Sequence, residues 1–225
     1  MSDHEFHLMQ LADSFFPSGL FGLSGGLESH AKSGRVKNGN DVLRFIRQQM
    51  QFQIVPFDCA VMSAVMGAAK KGDIGSAAVA DNQCYSMKLV REIRTASARS
   101  GRQLLNCLVS MTDDRFARKF YAIVEARGSA GTYPACLAVA ANAFHIPEKS
   151  AVRMMLYSYC VSIAGSAVRL GVITHIQGQR ILVQLARDVN SAKVARNINE
   201  LWQLAPLVEI LQMQHEQDDQ RMFNT

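Results

Sequence analysis

Two stretches of this 225-residue sequence carry no charged side chain: residues 128–144 and the 15 residues from Met154 to Val168. A chain must place such stretches inside a bilayer or inside itself. Spanning a membrane takes about 20 consecutive apolar residues. Both stretches fall short of that, Gly and Ser among other polar residues interrupt them, and Arg153 and Arg169 bracket the second. They are expected to be buried central helices, with no membrane as partner.

The rest of the chain supports a helical core. Hydrophobic residues make up 48 % and charged residues 19 %, and there are only five prolines. Val42, Leu43, Phe45, Ile46, Met50 and Ile54 recur at spacings of three and four, while Arg44, Arg47, Gln48 and Gln51 fall on the other face. Asn40 or Asp41 can cap that helix, and Pro56 is expected to mark its end. Asp73 can cap an alanine-rich helix, and residues 87–111 read as one long helix. Asp113 or Asp114 starts another. Pro134, Pro147 and Pro206 each open a helix, and Asn190 or Ser191 is expected to cap one running to Leu204. No strand alternation or repeat is found. The expectation is all-α: one domain over residues 1–225 with about nine to ten helices.

Residues 11–28, LADSFFPSGLFGLSGGLE, do not fit that pattern. Gly19, Gly22, Gly25 and Gly26 permit backbone that other residues avoid, and Pro17 fixes φ. Ser24 can cap a helix from Gly25 onward. Phe15, Phe16, Leu20, Phe21, Leu23 and Leu27 make the segment too apolar for a solvated linker, so it is expected against a core or a partner. A phosphate-binding loop needs a Gly-Lys-Ser/Thr ending or a G-x-G-x-x-G run, and neither is present.

The centre of the 87–111 helix crowds Arg91, Glu92, Arg94, Arg99 and Arg102 among Ala96, Ser97, Ala98, Ser100 and Gly101. Two readings stand beside each other. One is a solvated basic face with a Glu92 pair. The other is a close-packed helix surface whose arginines meet an acidic partner, a task suited to the planar guanidinium. The net charge of +5 has interspersed signs, with no basic run for a nucleic acid.

No catalytic set emerges. Six histidines are scattered through the chain without metal-ligand spacing. His4 and His7 on a flexible terminus, or His215 with Glu216 and Asp218, form at most weak ligand sets, so no metal site and no cofactor is expected. Cys59 beside Asp58 is the only thiol weighed as a nucleophile, against a buried structural role. The five cysteines form no C-x-x-C pair, which suits free thiols in a reducing compartment. With no secretory leader pattern in the first residues, a cytoplasmic location is expected.

Several blocks together resemble the UreF family of urease accessory proteins. F-P-S-G followed by S-G-G-L-E carries Leu11, Asp13, Ser14, Pro17, Gly19, Ser24, Gly26, Leu27 and Glu28 in matching positions. Glu92, Arg94, Ser97, Gly101, Leu104 and Leu105 match a second block, residues 167–170 a third, and His215, Arg221 and Phe223 the tail. Three positions depart: Leu23 and Thr132-Tyr133 where the family usually has His, and Thr174-His175 where it has Gly-Gln. The resemblance implies a helical, dimeric, non-catalytic factor that bridges the GTPase UreG to UreD (also called UreH) and apo-urease, regulates GTP hydrolysis and assists nickel insertion. A helical metal-binding protein, or an adaptor for another partner, is the alternative. The partner-binding residues expected are Pro17, Ser18, Gly19, Gly25, Gly26, Glu28, Arg94, Arg102, Arg169, His215, Arg221 and Phe223. The polar end of the chain, with only Met222 and Phe223 apolar, is expected to stay mobile or loosely docked until a partner arrives, because ordering it costs about 1–2 kcal/mol per residue.

Overall fold

The computed structural model describes residues 2–19, 23–195, 197–217 and 222–223, and every described element is helical. The order is α1 (Asp3–Ala12), α2 (Leu27–Lys32), α3 (Gly39–Gln49), a π-helical stretch (Met50–Cys59), α4 (Ala60–Lys70), α5 (Ile74–Met87), α6 (Arg91–Met111), α7 (Arg115–Glu125), α8 (Tyr133–Ala143), α9 (Glu148–Arg169), α10 (His175–Ser191), a 3-10 turn (Ile198–Glu200) and α11 (Pro206–His215). The all-α expectation holds.

The uncharged stretches sit where their composition requires. From Ala135 to Ala141 every residue of α8 is buried, packed between α4 and α6. Helix α9 crosses the domain with Ala151, Met155, Leu156, Cys160, Ile163 and Ala167 inside. It and the 32-residue run Gly39–Lys70 are long and apolar enough to cross a membrane, but most of each apolar window is buried within the domain. One contiguous core joins the elements.

Pro56 does not end its helix. α3, the π stretch and α4 form one continuous run, with Pro56 inside. Proline lacks an N–H and crowds the carbonyl four residues back; the wider π turn accommodates it. That carbonyl, on Phe52, accepts the Leu204 N–H at 2.8 Å. The cap of this run is Asn38, whose side chain accepts from the N–H groups of Asn40 and Asp41 at 3.0 and 3.2 Å, rather than Asn40 or Asp41.

Other boundaries also differ. The long helix starts at Arg91, because α5 extends to Met87 and Lys88 turns extended. The helix expected up to Leu204 is replaced by irregular chain around the 3-10 turn. Its bonds go outward instead: Gln203 donates to the Met87 carbonyl at 2.6 Å, and Gln83 to that of Ile198 at 3.4 Å. The N-terminus is not flexible polar chain but α1, whose first turn is closed by Glu5 accepting the Ser2 N–H at 2.8 Å. On it, His7 stacks on Phe144 with ring centroids 4.0 Å apart.

Candidate functional site

The chain's two family-like ends meet inside the domain. Gly25 and Gly26 adopt left-handed backbone, with φ of +61° and +90°, and turn the chain into α2. A Cβ on Gly25 would stand 2.9 Å from Ile163, and one on Gly26 3.0 Å from Gln212. The pair therefore serves both conformation and close approach to α9 and α11. Ser24 assists at the helix start, its Oγ accepting the Glu28 N–H at 3.5 Å, while Gly26 holds the N-cap position.

That turn aims Glu28 inward, where it is 2 % exposed. Its carboxylate accepts the backbone N–H of Met222 at 2.9 Å and of Phe223 at 3.1 Å. It also meets His215 Nε2 at 3.2 Å and Lys32 Nζ at 3.2 Å. His215 Nδ1 in turn lies 3.2 Å from Glu92 on α6. The imidazole thus bridges the two carboxylates, one at each ring nitrogen. Glu216 closes the cluster, accepting the Glu92 N–H at 3.0 Å and pairing with Arg91 at 3.1 Å. Burial alone would raise the Glu28 carboxyl, but the Met222 N–H, His215, the Phe223 N–H and Lys32 outweigh it and hold it below its ordinary value.

Phe223 is buried, and the Arg169 guanidinium lies over its ring, 4.6 Å from the centroid. Of the two expectations for the chain's end, mobile or loosely docked, the structure shows Met222 and Phe223 docked on Glu28, with Met222 still mostly exposed. A buried carboxylate whose charge needs the N–H groups of these two residues adds to what the apolar pair alone offers against the entropy of ordering. Arg221, Asp218, Leu20, Phe21 and Gly22 lie outside the described residues.

Of the remaining expected partner-binding residues, Pro17 and Gly19 are exposed and Ser18 half-buried, beside α6: a Cβ on Gly19 would sit 3.8 Å from Ser100 Oγ. Phe15 next to them is 94 % exposed. Arg94 is half-buried, donates to the Lys88 carbonyl at 2.9 Å and lies over Tyr85. Arg102 is exposed, its Nε donating to the Ala130 carbonyl at 3.0 Å. With Arg99 it borders a polar cleft that Tyr85 and Tyr121 also line. Eleven of the twelve expected residues are described, and they divide between an inner frame (Gly25, Gly26, Glu28, Arg169, His215, Phe223) and Pro17, Ser18, Gly19, Arg94 and Arg102 outside it. Glu92 pairs with His215.

Two groups escaped sequence reading. Asp81 on α5 is fully buried and accepts four hydrogen bonds: Ser129 Oγ at 2.5 Å, Gly131 N–H at 2.6 Å, Thr132 N–H at 2.8 Å and Thr132 Oγ1 at 2.5 Å. Lys88 and Asp58 form a buried ion pair at 2.7 Å. The three departures from the family pattern have local roles. Thr132 is bound twice by Asp81. Thr174 caps α10 in a reciprocal box with Gln177 at 2.8 and 3.3 Å. The Leu23 carbonyl accepts from Ser162 and Ser166 on α9.

The thiol weighed as a nucleophile has the wrong surroundings. Cys59 is fully buried, and burial first, then the Asp58 charge, pushes it well above its ordinary value. A nucleophilic cysteine needs the opposite shift and access.

The UreF family profile matches residues 36–186. The urease accessory protein UreF of Trichodesmium erythraeum is 30 % identical over 219 residues, covering 96 % of this chain and 94 % of that protein. Urease accessory protein UreF 1 of Brucella melitensis is 30 % identical over 96 % of this chain and 91 % of its own length. The UreF of Photorhabdus laumondii is 30 % identical over 96 % of both. The profile and these full-length likenesses, on an all-helical fold with the motif residues of both ends joined at Glu28, place this chain in the UreF family of urease accessory proteins.

Proposed function

We propose that this chain is a non-catalytic assembly factor for urease, working in the cytoplasm as a homodimer. It bridges the GTPase UreG to UreD/UreH and apo-urease, regulates GTP hydrolysis and assists nickel delivery into the urease active site. The carrying observation is the Glu28 cluster. It commits the motif's ionisable groups to holding α2, α6, α11 and the tail as one composite surface, which is what a scaffold for partners requires. Outside that frame lie groups of the kind that interfaces use. Phe15 and Pro17 stand beside α6, Arg102 is exposed on it, and Leu207, Ile210 and Met213 are 44, 52 and 45 % exposed along one face of α11. An apolar stripe of that kind marks an interaction surface. Free cysteines throughout the chain suit the reducing compartment.

Co-expression with UreG and UreD tests this reading. The expected result is a stable complex of all three, and loss of nickel-dependent urease activation when this chain is omitted. Urease activation that proceeds equally without it, or failure to associate with either partner, would refute the assignment.

A further inference from the structure

Helices α6 and α7 hold most of this chain's excess charge. Between Arg91 and Arg127 there are eight basic residues and four acidic ones, in a chain of formal net charge +5. Three of the four acids are engaged within the fold: Glu92 with His215, Asp113 with Arg118, and Asp114 with the Ala117 N–H at 2.7 Å. Arg99 and Arg102 are exposed and form no ion pair among the described residues. They lie three positions apart on α6, hence on one face, and both line a cleft of about 400 Å³. Thr95, Gln103 and Asn106 of the same face line it too, with Tyr85 from α5 and Tyr121 and Glu125 from α7. Two of these groups are already held. Arg102 donates through Nε to the Ala130 carbonyl at 3.0 Å, and its stem lies over Gly131, where a Cβ would stand 2.9 Å from Cγ. Tyr85 carries the Arg94 guanidinium over its ring, 5.5 Å from the centroid.

We propose that this cleft docks an extended, acidic segment of a partner protein, its carboxylates pairing with Arg99 and Arg102. The contact rests on the assembly role proposed above and gives it a chemistry. The sign of the charge follows from the two guanidiniums, which outnumber Glu125 in the cleft. A planar guanidinium takes a carboxylate through two parallel hydrogen bonds, and Arg102, anchored by Nε, keeps both terminal nitrogens for that purpose. A polypeptide rather than a free anion follows from the length. From Thr95 to Asn106 the face runs about 16 Å along the helix axis, the span of about five extended residues. A single phosphate would leave most of that length unused. Thr95, Gln103 and Asn106 offer both donors and acceptors, which suits a peptide backbone. Tyrosine and arginine are also side chains that interfaces favour.

The test uses the full-length protein and fluorescein-labelled pentaglutamate, with pentaglutamine as the uncharged control, read by fluorescence anisotropy. The expected result is saturable binding of pentaglutamate, at least tenfold tighter than pentaglutamine and weakening as salt rises. Arg99→Gln with Arg102→Gln should weaken it at least tenfold. Arg115→Gln with Lys119→Gln, which remove as much charge from exposed positions outside the cleft, should change it less than threefold. Glu125→Gln should tighten it at least twofold. Circular dichroism checks folding; if Arg102→Gln disturbs it, Arg99→Gln alone must still weaken binding at least threefold. Equal loss in the two double variants would mean general attraction to a basic protein and overturns the proposal, as does no saturable binding at millimolar peptide. Inorganic phosphate binding more tightly than the peptide would make the cleft a free-anion site, and also overturns it. The double cleft variant should lose at least tenfold in affinity for the UreG–UreD pair as well. If it assembles as the parent does, the docking fails and the assembly role stands. If the parent joins neither partner, the assembly role fails and the peptide results alone decide the cleft.

Discussion

Replacing Glu28 by Gln removes one charge and leaves the shape of the side chain nearly unchanged, so its effect isolates what the carboxylate does. In the native protein that carboxylate meets two backbone N–H groups and one imidazole, the Met222 bond part-buried and the other two buried. Hydrogen bonds to charged groups contribute about 1.5–3 kcal/mol each, and neutral ones about 0.5–1.5. Three such bonds weakened by about 1 kcal/mol each give a loss of about 3 kcal/mol. The Lys32 contact adds little, because that side chain is 44 % exposed and surface pairs contribute about 0–1 kcal/mol. The amide nitrogen of Gln also turns a donor toward groups that donate. Urea unfolding reads the stability, and hydrogen exchange reads the Met222 and Phe223 amides. Both should lose protection before the core does, and association with UreG should weaken with them. The pH dependence has a definite sign. A carboxyl held below its ordinary value stabilises fully above the unfolded-state value, about 4.3, and that contribution is lost as pH falls through the lower folded-state value. Tail protection should therefore persist at neutral pH and fail below about pH 4. A Glu28→Gln protein within 0.5 kcal/mol of the parent, with those two amides still protected, would refute the reasoning.

Four further variants have expected outcomes. Gly101→Ala places a Cβ 2.2 Å from the Gly131 carbonyl oxygen and 2.5 Å from the Thr132 carbonyl carbon, both backbone. It should cost about 3 kcal/mol or more, seen as a lowered melting temperature; an unchanged one would mean that α6 and residues 131–132 are not in contact. Asp81→Asn keeps the volume but turns two of its accepting sites into donors, and should cost about 3 kcal/mol with exchange rising first at Gly131 and Thr132. Arg102→Ala should leave stability within about 0.5 kcal/mol while weakening partner binding in pull-downs. Arg94→Ala, which loses its bond to the Lys88 carbonyl and its seat over Tyr85, should cost about 1–2 kcal/mol by itself. Equal stability of the two variants would contradict their different burial.

Much of this architecture is written in local pattern. The period-three-and-four spacing around Phe45 and Ile46, the Asp73 and Asp114 caps, and the prolines opening α8 and α11 are near-neighbour effects that a linear reading captures. The misses share one physical origin, which is that a partner far along the chain decided the outcome. Pro56 reads as a stop because nothing nearby says that Leu204 will occupy the Phe52 carbonyl. Residues 198–204 read as helix because their true acceptors, on Met87 and Phe52, lie over 100 positions away. Asp81 looks like any acid in an alanine-rich helix until residues 129–132 fold over it. The site was legible in its parts, since Glu28, His215 and Phe223 were all named. That they would touch was not, because charge complementarity between positions 28, 92 and 215 leaves no trace in spacing.

The π stretch with Pro56 at its centre sets an angular phase between the two halves of the Gly39–Lys70 run. Val42, Phe45 and Ile46 face the core before it, and Val61, Val65 and Met66 face the core after it. Each residue of an α-helix advances the side-chain direction by about 100°. Removing one residue between positions 50 and 59 would therefore swing the whole of α4 away from α5 and α8, while a side-chain exchange there leaves the phase intact. The length of this stretch is therefore constrained separately from its side chains, of which Phe57, Asp58 and Cys59 are buried in their own right.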